Sequence, residues 1–244
     1  MKVYLSPSDQ VRNLYSYGNT NEATQCRKIA AACKTALERC GFAVKINTKD
    51  GSNAMYDRVK ESNAWGADLH VCIHTNAGGG SGCVVFVDEL DEKHKKYAQP
   101  VYDAVSAITR ANEKYGIRTA NFYEIRKTTG LCVYVECEFH DNATDAKWIV
   151  ENITAIGEAL CRGICKGCGV TYKEPKSVES TKQEDKDMIR YQTINDVPAW
   201  AQAETKELME LGCFKGRGDG VLDVSDDMLR SVIISLRACK ALMK

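Results

Sequence analysis

The sequence predicts an α/β protein, with an open, mostly parallel twisted sheet covered by helices on both faces and a small C-terminal helical module. Short apolar, β-rich runs alternate with helix-periodic segments from Met1 to about Val170. The longer of these runs are continuously apolar, as strands buried on both faces are. The apolar residues then almost vanish in YKEPKSVESTKQEDKD, so that stretch cannot offset the entropy of its own ordering. The expected layout is a main domain over 1–171, a linker over 172–187 and a helical module over 188–244.

Taken in order, Val3 to Leu5 is a first strand, which runs into a Ser-, Pro-, Asp- and Asn-rich loop reaching Asn21. A loop of that length usually has a function. From Glu22 to Cys40 the residues Cys26, Ile29, Ala30, Cys33, Leu37 and Cys40 follow helical spacing, and Gly41 supplies the stop. Phe42 to Ile46 is a second strand, and Ser52 and Asn53 cap a helix through Asn63. Leu69 to His74 is a third strand ending in a glycine-rich loop. Val84 to Val87 is a short strand, Glu92 to Asn112 a helix, Leu131 to Glu136 another buried strand, and Asp145 to Cys168 the last helix of the domain. In such sheets the active site lies beyond the carboxyl ends of the strands. In the module, Pro198 to Leu211 and Ser225 to Met243 read as helices around the turn-rich GCFKGRGDG.

Composition narrows the function classes. Lys plus Arg and Asp plus Glu both number 33, so the net charge is zero and there is no global electrostatic footprint for nucleic acid, a weak argument against such a partner. The apolar run in MKVYLSPSDQVRN falls short of the roughly 7 to 15 residues of a signal-peptide core. No stretch approaches the roughly 20 apolar residues of a membrane span. The expectation is synthesis in the cytoplasm without a signal peptide. The twelve cysteines are then expected to be reduced. Cys26, Cys33 and Cys40 fall near one helix face as small hydrophobes, while Cys161, Cys165 and Cys168 close an amphipathic helix and lack a fourth metal ligand in sequence.

Chemistry must come from few residues. The four histidines are His70, His74, His94 and His140. His74 closes the run LHVCIH, so its imidazole should emerge at the sheet rim. His70 shares its face, yet at about 3.3 Å per residue the two α-carbons stand about 13 Å apart, which favours a hydrogen-bonded interior role for His70. His94, in DEKHKKY, reads as a solvated residue of a charged helical face. His140 follows a buried strand in VECEFHDN. Glu22 opens a helix, where the macrodipole favours a carboxylate, but that helix start also follows the long loop leaving the first strand. Glu136 ends the apolar run Leu131 to Val135, and a carboxylate there is seldom present for packing. Beside a metal-bound water it would take and return a proton, with Glu138 as its rival.

These residues carry a family resemblance. NE at the start of the first helix, then ADLHVCIHTNAGG, then LCVYVECEFHDN followed by DAKWI, resembles the zinc-dependent N-acetylmuramoyl-L-alanine amidases of bacterial autolysins and phage endolysins, over about Met1 to Val170. The resemblance implies a peptidoglycan hydrolase with a zinc cofactor. It places zinc on the helix-start glutamate and on the histidine of the HxNA segment, here Glu22 and His74, and makes the glutamate of the VE segment, Glu136, catalytic. The bond cut would join N-acetylmuramic acid to the L-alanine of the stem peptide. The family usually draws another zinc histidine from a Gly-His pair after the first strand, where this chain reads LSPSDQVRN. His140 is the expected replacement, and Asp9 is the alternative oxygen ligand.

The tail, NDVPAWAQAETKELMELGCFKGRGDGVLDVSDDMLRSVIISLRA, resembles a single S-layer-homology motif. That implies association with cell-wall polymers, while a lone copy also admits self-association or a plain two-helix unit. One rival is a non-catalytic cell-wall-binding protein with a degenerate amidase fold. Another is a cytosolic metallopeptidase or amidase for small peptides, which leaves the tail without a purpose. With no export signal, action on the wall is expected after holin-type release or lysis.

Overall fold

The computed structural model describes residues 1–49, 51, 53–109, 115–175, 189–214 and 221–242. It divides into two compact units, Met1–Pro175 and Lys176–Lys244. Most of the expected linker, Ser52, Asn112 and residues 215–220 of the turn-rich segment lie outside the described residues.

The first unit contains β1 (Lys2–Pro7), α1 (Glu22–Arg39), β2 (Ala43–Ile46), α2 (Ala54–Trp65), β3 (Leu69–Asn76), β4 (Val84–Val87), α3 (Glu92–Ser106), β5 (Ile117–Thr119), α4 (Tyr123–Lys127), β6 (Leu131–Phe139), α5 (Ala143–Glu151) and α6 (Ile153–Cys168). Six strands form one sheet in the order β2, β1, β3, β6, β4, β5. All neighbours run parallel except β4 with β6. The α/β architecture read from the sequence is therefore present.

The two-residue period of the strands sorts their side chains onto two faces. Val3, Leu5, Val71, Ile73, Val133, Val135 and Cys137 join the main core with residues of α1, α3, α5 and α6. Tyr4, Ser6, His70, Cys72 and Tyr134 face α2 and α4. Tyr4 donates to Glu61, His70 bonds Ser62, Ser6 donates to Glu124, and Ile125 packs with Cys72, Cys132 and Tyr134.

The chief helix contacts follow from small residues. A Cβ added to Gly157 would stand 2.6 Å from the Cβ of Ala32, and one on Gly163 would stand 2.5 Å from the Cα of Val101. These glycines let α6 lie directly against α1 and α3. Cys161 and Cys165 meet Cys40 at this interface, with sulfur separations of 3.7 Å from Cys40 to Cys161 and 3.9 Å from Cys161 to Cys165. Cys40, and not Cys168, is thus the third member of that group.

Four local features differ from the sequence reading, the first being that the helix expected from Glu92 to Asn112 ends at Ser106, with Ala107 at its cap. The long helix expected from Asp145 to Cys168 is two helices, starting at Ala143 and broken at Asn152. The Asn152 side chain donates to the Trp148 carbonyl at 2.8 Å, the competition with the backbone that makes Asn a helix breaker. The strand β5 and the helix α4 are only 3 and 5 residues long, too short to show a period. His94 is half-buried rather than freely solvated: its ring lies 2.6 Å from Asp91 with 15 % of the side chain exposed.

The second unit holds β7 (Arg190–Tyr191), α7 (Ala199–Glu210), β8 (Val224–Ser225) and α8 (Asp226–Leu242). β7 and β8 pair antiparallel. The unit has its own core, built from Tyr191, Val197, Ala201, Leu208, Leu222, Val224, Leu229 and Ile233.

Candidate active site

The register of β3 against β6 makes His74 and Glu136 direct partners at the carboxyl ends of their strands. Beyond them the ladder becomes irregular, with Asn76 facing Phe139. The strand period puts both side chains on the face of Tyr134, whose ring stacks on His74 at 4.4 Å between centroids.

Glu22 reaches this pair from the start of α1. Its Oε1 lies 2.8 Å from His74 Nδ1. The helix starts here because Asn21 caps it, accepting from the Thr24 amide at 2.9 Å, and because the Glu22 amide donates to the Asn13 carbonyl at 2.9 Å. The loop before it is closed by a bridge between Leu14 and Asn21. Asn13 donates to Glu22 Oε2 and to Gln10 Oε1, each at 2.7 Å, and the Gln10 amide stands 3.3 Å from His74 Nδ1. The sequence reading missed Gln10 and Asn13. Their only signal was the three-residue spacing in a polar loop leading to Glu22.

Burial raises the cost of charge at all three groups. Burial alone would push the Glu22 carboxyl up, but the hydrogen bond and charge of His74, helped by Asn13 and Ser8, hold it below its ordinary value. Burial would lower His74, yet the bond to Glu22 and the charges of Glu136 and Glu22 raise it. Each partner thus favours the charged form of the other. Glu136 is pushed up to about 7 by burial, which the charge of His74 only partly opposes and the charge of Glu22 reinforces. Glu136 Oε2 and His74 Nε2 are buried without hydrogen-bond partners. A carboxylate and an imidazole in contact, beside two orphaned buried polar atoms, are a donor set suited to a divalent cation.

Glu138 has a different setting. It is fully buried and accepts from the amides of Gly82 and Phe139. Burial also pushes it up to about 7, but it holds the glycine-rich loop in place.

The structure brings Glu22 and His74 together and sets His140 apart. His140 Nδ1 lies 2.9 Å from the Thr75 carbonyl oxygen and 3.1 Å from the Thr75 hydroxyl, and its ring stacks on Tyr15 at 5.2 Å. The strand period turns Thr75 to the face opposite His74, and Tyr15 belongs to the main core. Among the described residues, no group of three ligand atoms within 4.8 Å of one another joins either His140 or Asp9 to Glu22 and His74. The groups that meet that distance are Cys40, Cys161, Cys165 and His70, Cys72, Cys132. Both ring nitrogens of His70 are already engaged, by Ser62 at 2.9 Å and Glu124 at 3.3 Å, which is the interior role expected of it.

Asp9 lies on the cleft side of the rim. It pairs with the buried Arg58 guanidinium at 3.4 Å. The two residues line, with His74, Glu124, Phe122 and Tyr134, a cleft of about 600 Å³.

A buried acid–histidine pair in register with a second carboxylate at the carboxyl ends of adjacent strands, with His74 lining a cleft, has the groups of a hydrolase on an α/β fold. Residues 11–166 match the N-acetylmuramoyl-L-alanine amidase family, and the chain belongs to that family. It is 26% identical over 186 residues to the sporulation-specific N-acetylmuramoyl-L-alanine amidase of Bacillus subtilis (strain 168), covering 74% of this chain and 71% of that protein. It is 27% identical over 160 residues to the N-acetylmuramoyl-L-alanine amidase CwlM of Bacillus licheniformis, covering 65% and 62%. Among solved structures, the catalytic domain of CwlV, an N-acetylmuramoyl-L-alanine amidase from Bacillus (Paenibacillus) polymyxa var. colistinus, superposes with a TM-score of 0.62 at 20% identity. That match covers 70% of this chain and 100% of the other.

Proposed function

We propose that the protein is a zinc-dependent N-acetylmuramoyl-L-alanine amidase that hydrolyses the amide between the lactyl group of N-acetylmuramic acid and the L-alanine of the stem peptide. One observation carries this reading: the buried Glu22–His74 pair, 2.8 Å apart, stands in register with Glu136 at the open end of the sheet. Glu22 and His74 would hold the ion. Asp9 lines the same cleft as His74, which supports it over His140 as the third ligand. When bound, zinc supplies Lewis-acid polarisation of the scissile carbonyl and a water of lowered pKa. Glu136, pushed up to about 7, exchanges a proton near neutral pH, as the transfer from water to the leaving alanine amine requires. Glu138 has one oxygen held by the Gly82 and Phe139 amides and the other buried without a hydrogen-bond partner, and it is assigned to supporting the loop rather than to the reaction.

The second unit is proposed as an S-layer-homology-type module that associates with cell-wall polymers. It is supported by the separate core and by Trp200, flanked by the guanidinium groups of Arg230 and Arg237 at 5.3 and 5.7 Å. The site of action is then the cell wall. Among the described residues no helix is long and apolar enough to cross a membrane.

The test is a digest of purified peptidoglycan in the presence and absence of a chelator. New amino ends on L-alanine that vanish with the chelator support the amidase. New reducing sugar ends would mean a glycosidase, and intact peptidoglycan a wall-binding protein without activity.

A further inference from the structure

We propose that Phe122 is a sugar platform, on which the muramyl ring of the substrate stacks while its lactyl amide lies at His74 and Glu136. The inference rests on the amidase reading and extends it to the side of the cleft that takes the glycan.

A continuous run of aromatic rings leads from the reactive centre to the surface. The Tyr134 ring stacks on His74 at 4.4 Å and 21°. Phe122 leans against Tyr134 at 4.9 Å, and Phe86 meets Phe122 and Tyr134 edge-on at 5.4 and 6.3 Å. Tyr134 is buried, whereas Phe122 is 41% exposed. Phe122 is therefore where the run emerges, on the wall of the cleft that also contains His74.

Its placement is fixed from both sides. Phe122 caps α4 in extended conformation, with φ −80° and ψ 148°, so the start of the helix sets its backbone. Phe86 and Tyr134 wedge its ring, and little conformational entropy remains to be lost when a ligand stacks on it. An isolated exposed Phe on a protein surface needs no explanation. One held rigid at a reactive cleft does.

The surroundings select the occupant. Asn121, beside Phe122, accepts a hydrogen bond from the Arg126 guanidinium, and Asp9 and Gln10 also line the cleft. A flat apolar face beside the side-chain amides of Asn121 and Gln10 matches a pyranose, which offers C–H groups on one face and hydroxyls around its edge. The small side chains of a stem peptide's alanines would cover only part of the ring. Stacking of the sugar, away from the bond that breaks, would then hold the substrate and the transition state alike.

The experiment compares an N-acetylmuramyl-peptide with the D-lactoyl-peptide of the same sequence, which keeps the scissile amide and lacks the sugar. Phe122→Ala should raise KM for the muramyl substrate roughly tenfold, about 1.4 kcal/mol, with kcat unchanged. The lactoyl substrate should be cleaved by this variant as by the wild type, and Phe122→Trp should restore the low KM. Parallel losses on both substrates, or a loss confined to the lactoyl substrate, would overturn the platform while leaving the amidase reading intact. Cleavage of neither substrate by the wild-type protein would overturn both.

Discussion

Glu22 and His74, 52 residues apart in the chain, meet through a 2.8 Å contact between a carboxylate oxygen and an imidazole nitrogen, both buried. The contact raises His74 above its ordinary value and holds Glu22 below its own, each favouring the charged form of the other against the burial that opposes both. To become a ligand, His74 must give up its proton. Zinc affinity should therefore weaken as the pH falls through the raised His74 value, with proton release on binding. Competition titrations with a chromogenic chelator at several pH values measure this. Affinity independent of pH would mean that His74 is already neutral, or that it is not a ligand.

Glu136→Gln should keep the fold and the metal but lose roughly 10²- to 10⁴-fold in turnover, the usual worth of a general acid/base. Glu138→Gln should cost far less, since a glutamine oxygen can still accept from the Gly82 and Phe139 amides. Steady-state kinetics on a muramyl-peptide decide between them. A larger loss in the second variant would exchange the two roles.

Glu138 also makes a stability prediction with a definite sign. Its carboxyl is pushed up to about 7 by burial, so the folded chain keeps a proton that the unfolded chain releases at the ordinary carboxylate value of 4.5. Stability should fall as pH rises between those values and then level off. Glu138→Gln removes this loss. The variant should melt higher than the wild type at pH about 8, with the difference shrinking toward pH about 5. Thermal melts at the two pH values measure it, and equal shifts at both would assign the effect to packing.

Zinc occupancy separates the candidate third ligands. Asp9→Ala and His74→Ala should lower it severely. His140→Ala, whose ring is tied to Thr75 and Tyr15, should cost at most about 10- to 100-fold in affinity, as removal of a supporting group does. Metal analysis after dialysis against a weak chelator makes the comparison. Severe loss in His140→Ala alone would restore His140 to the ligand set.

Removing everything after Pro175 should leave a folded first unit, because its core draws on residues no later than Tyr172. The shortened protein should cleave soluble muropeptides normally and sediment less with sacculi. Equal sedimentation would assign the second unit another purpose, such as self-association.

The central strands were legible because they are nearly unbroken apolar runs, whereas β5 was not, and the helices α1 and α3 were legible because they are long enough to show their period. Glu22, His74 and Glu136 were legible for a related reason: each is a polar residue where a buried element meets the rim. What sequence could not carry was local and short. The ladder irregularity after His74 and the Thr75 carbonyl decide which side of the rim His140 takes, and neither leaves a pattern in the residues. Gln10 and Asn13 reach the site only because the loop folds back through the Leu14 and Asn21 bridge. Phe122 gains its place from contacts with Tyr134 and Phe86, residues of other strands.

The most direct measurement takes purified peptidoglycan, the zinc-loaded protein and Glu136→Gln in parallel, and quantifies newly exposed L-alanine amino groups against newly exposed reducing sugars. The expected result is amino groups alone, abolished by chelation and by Glu136→Gln. Reducing sugars without amino groups, or amino groups released at an undiminished rate by the metal-bearing Glu136→Gln protein, would contradict a zinc amidase built on Glu22, His74 and Glu136.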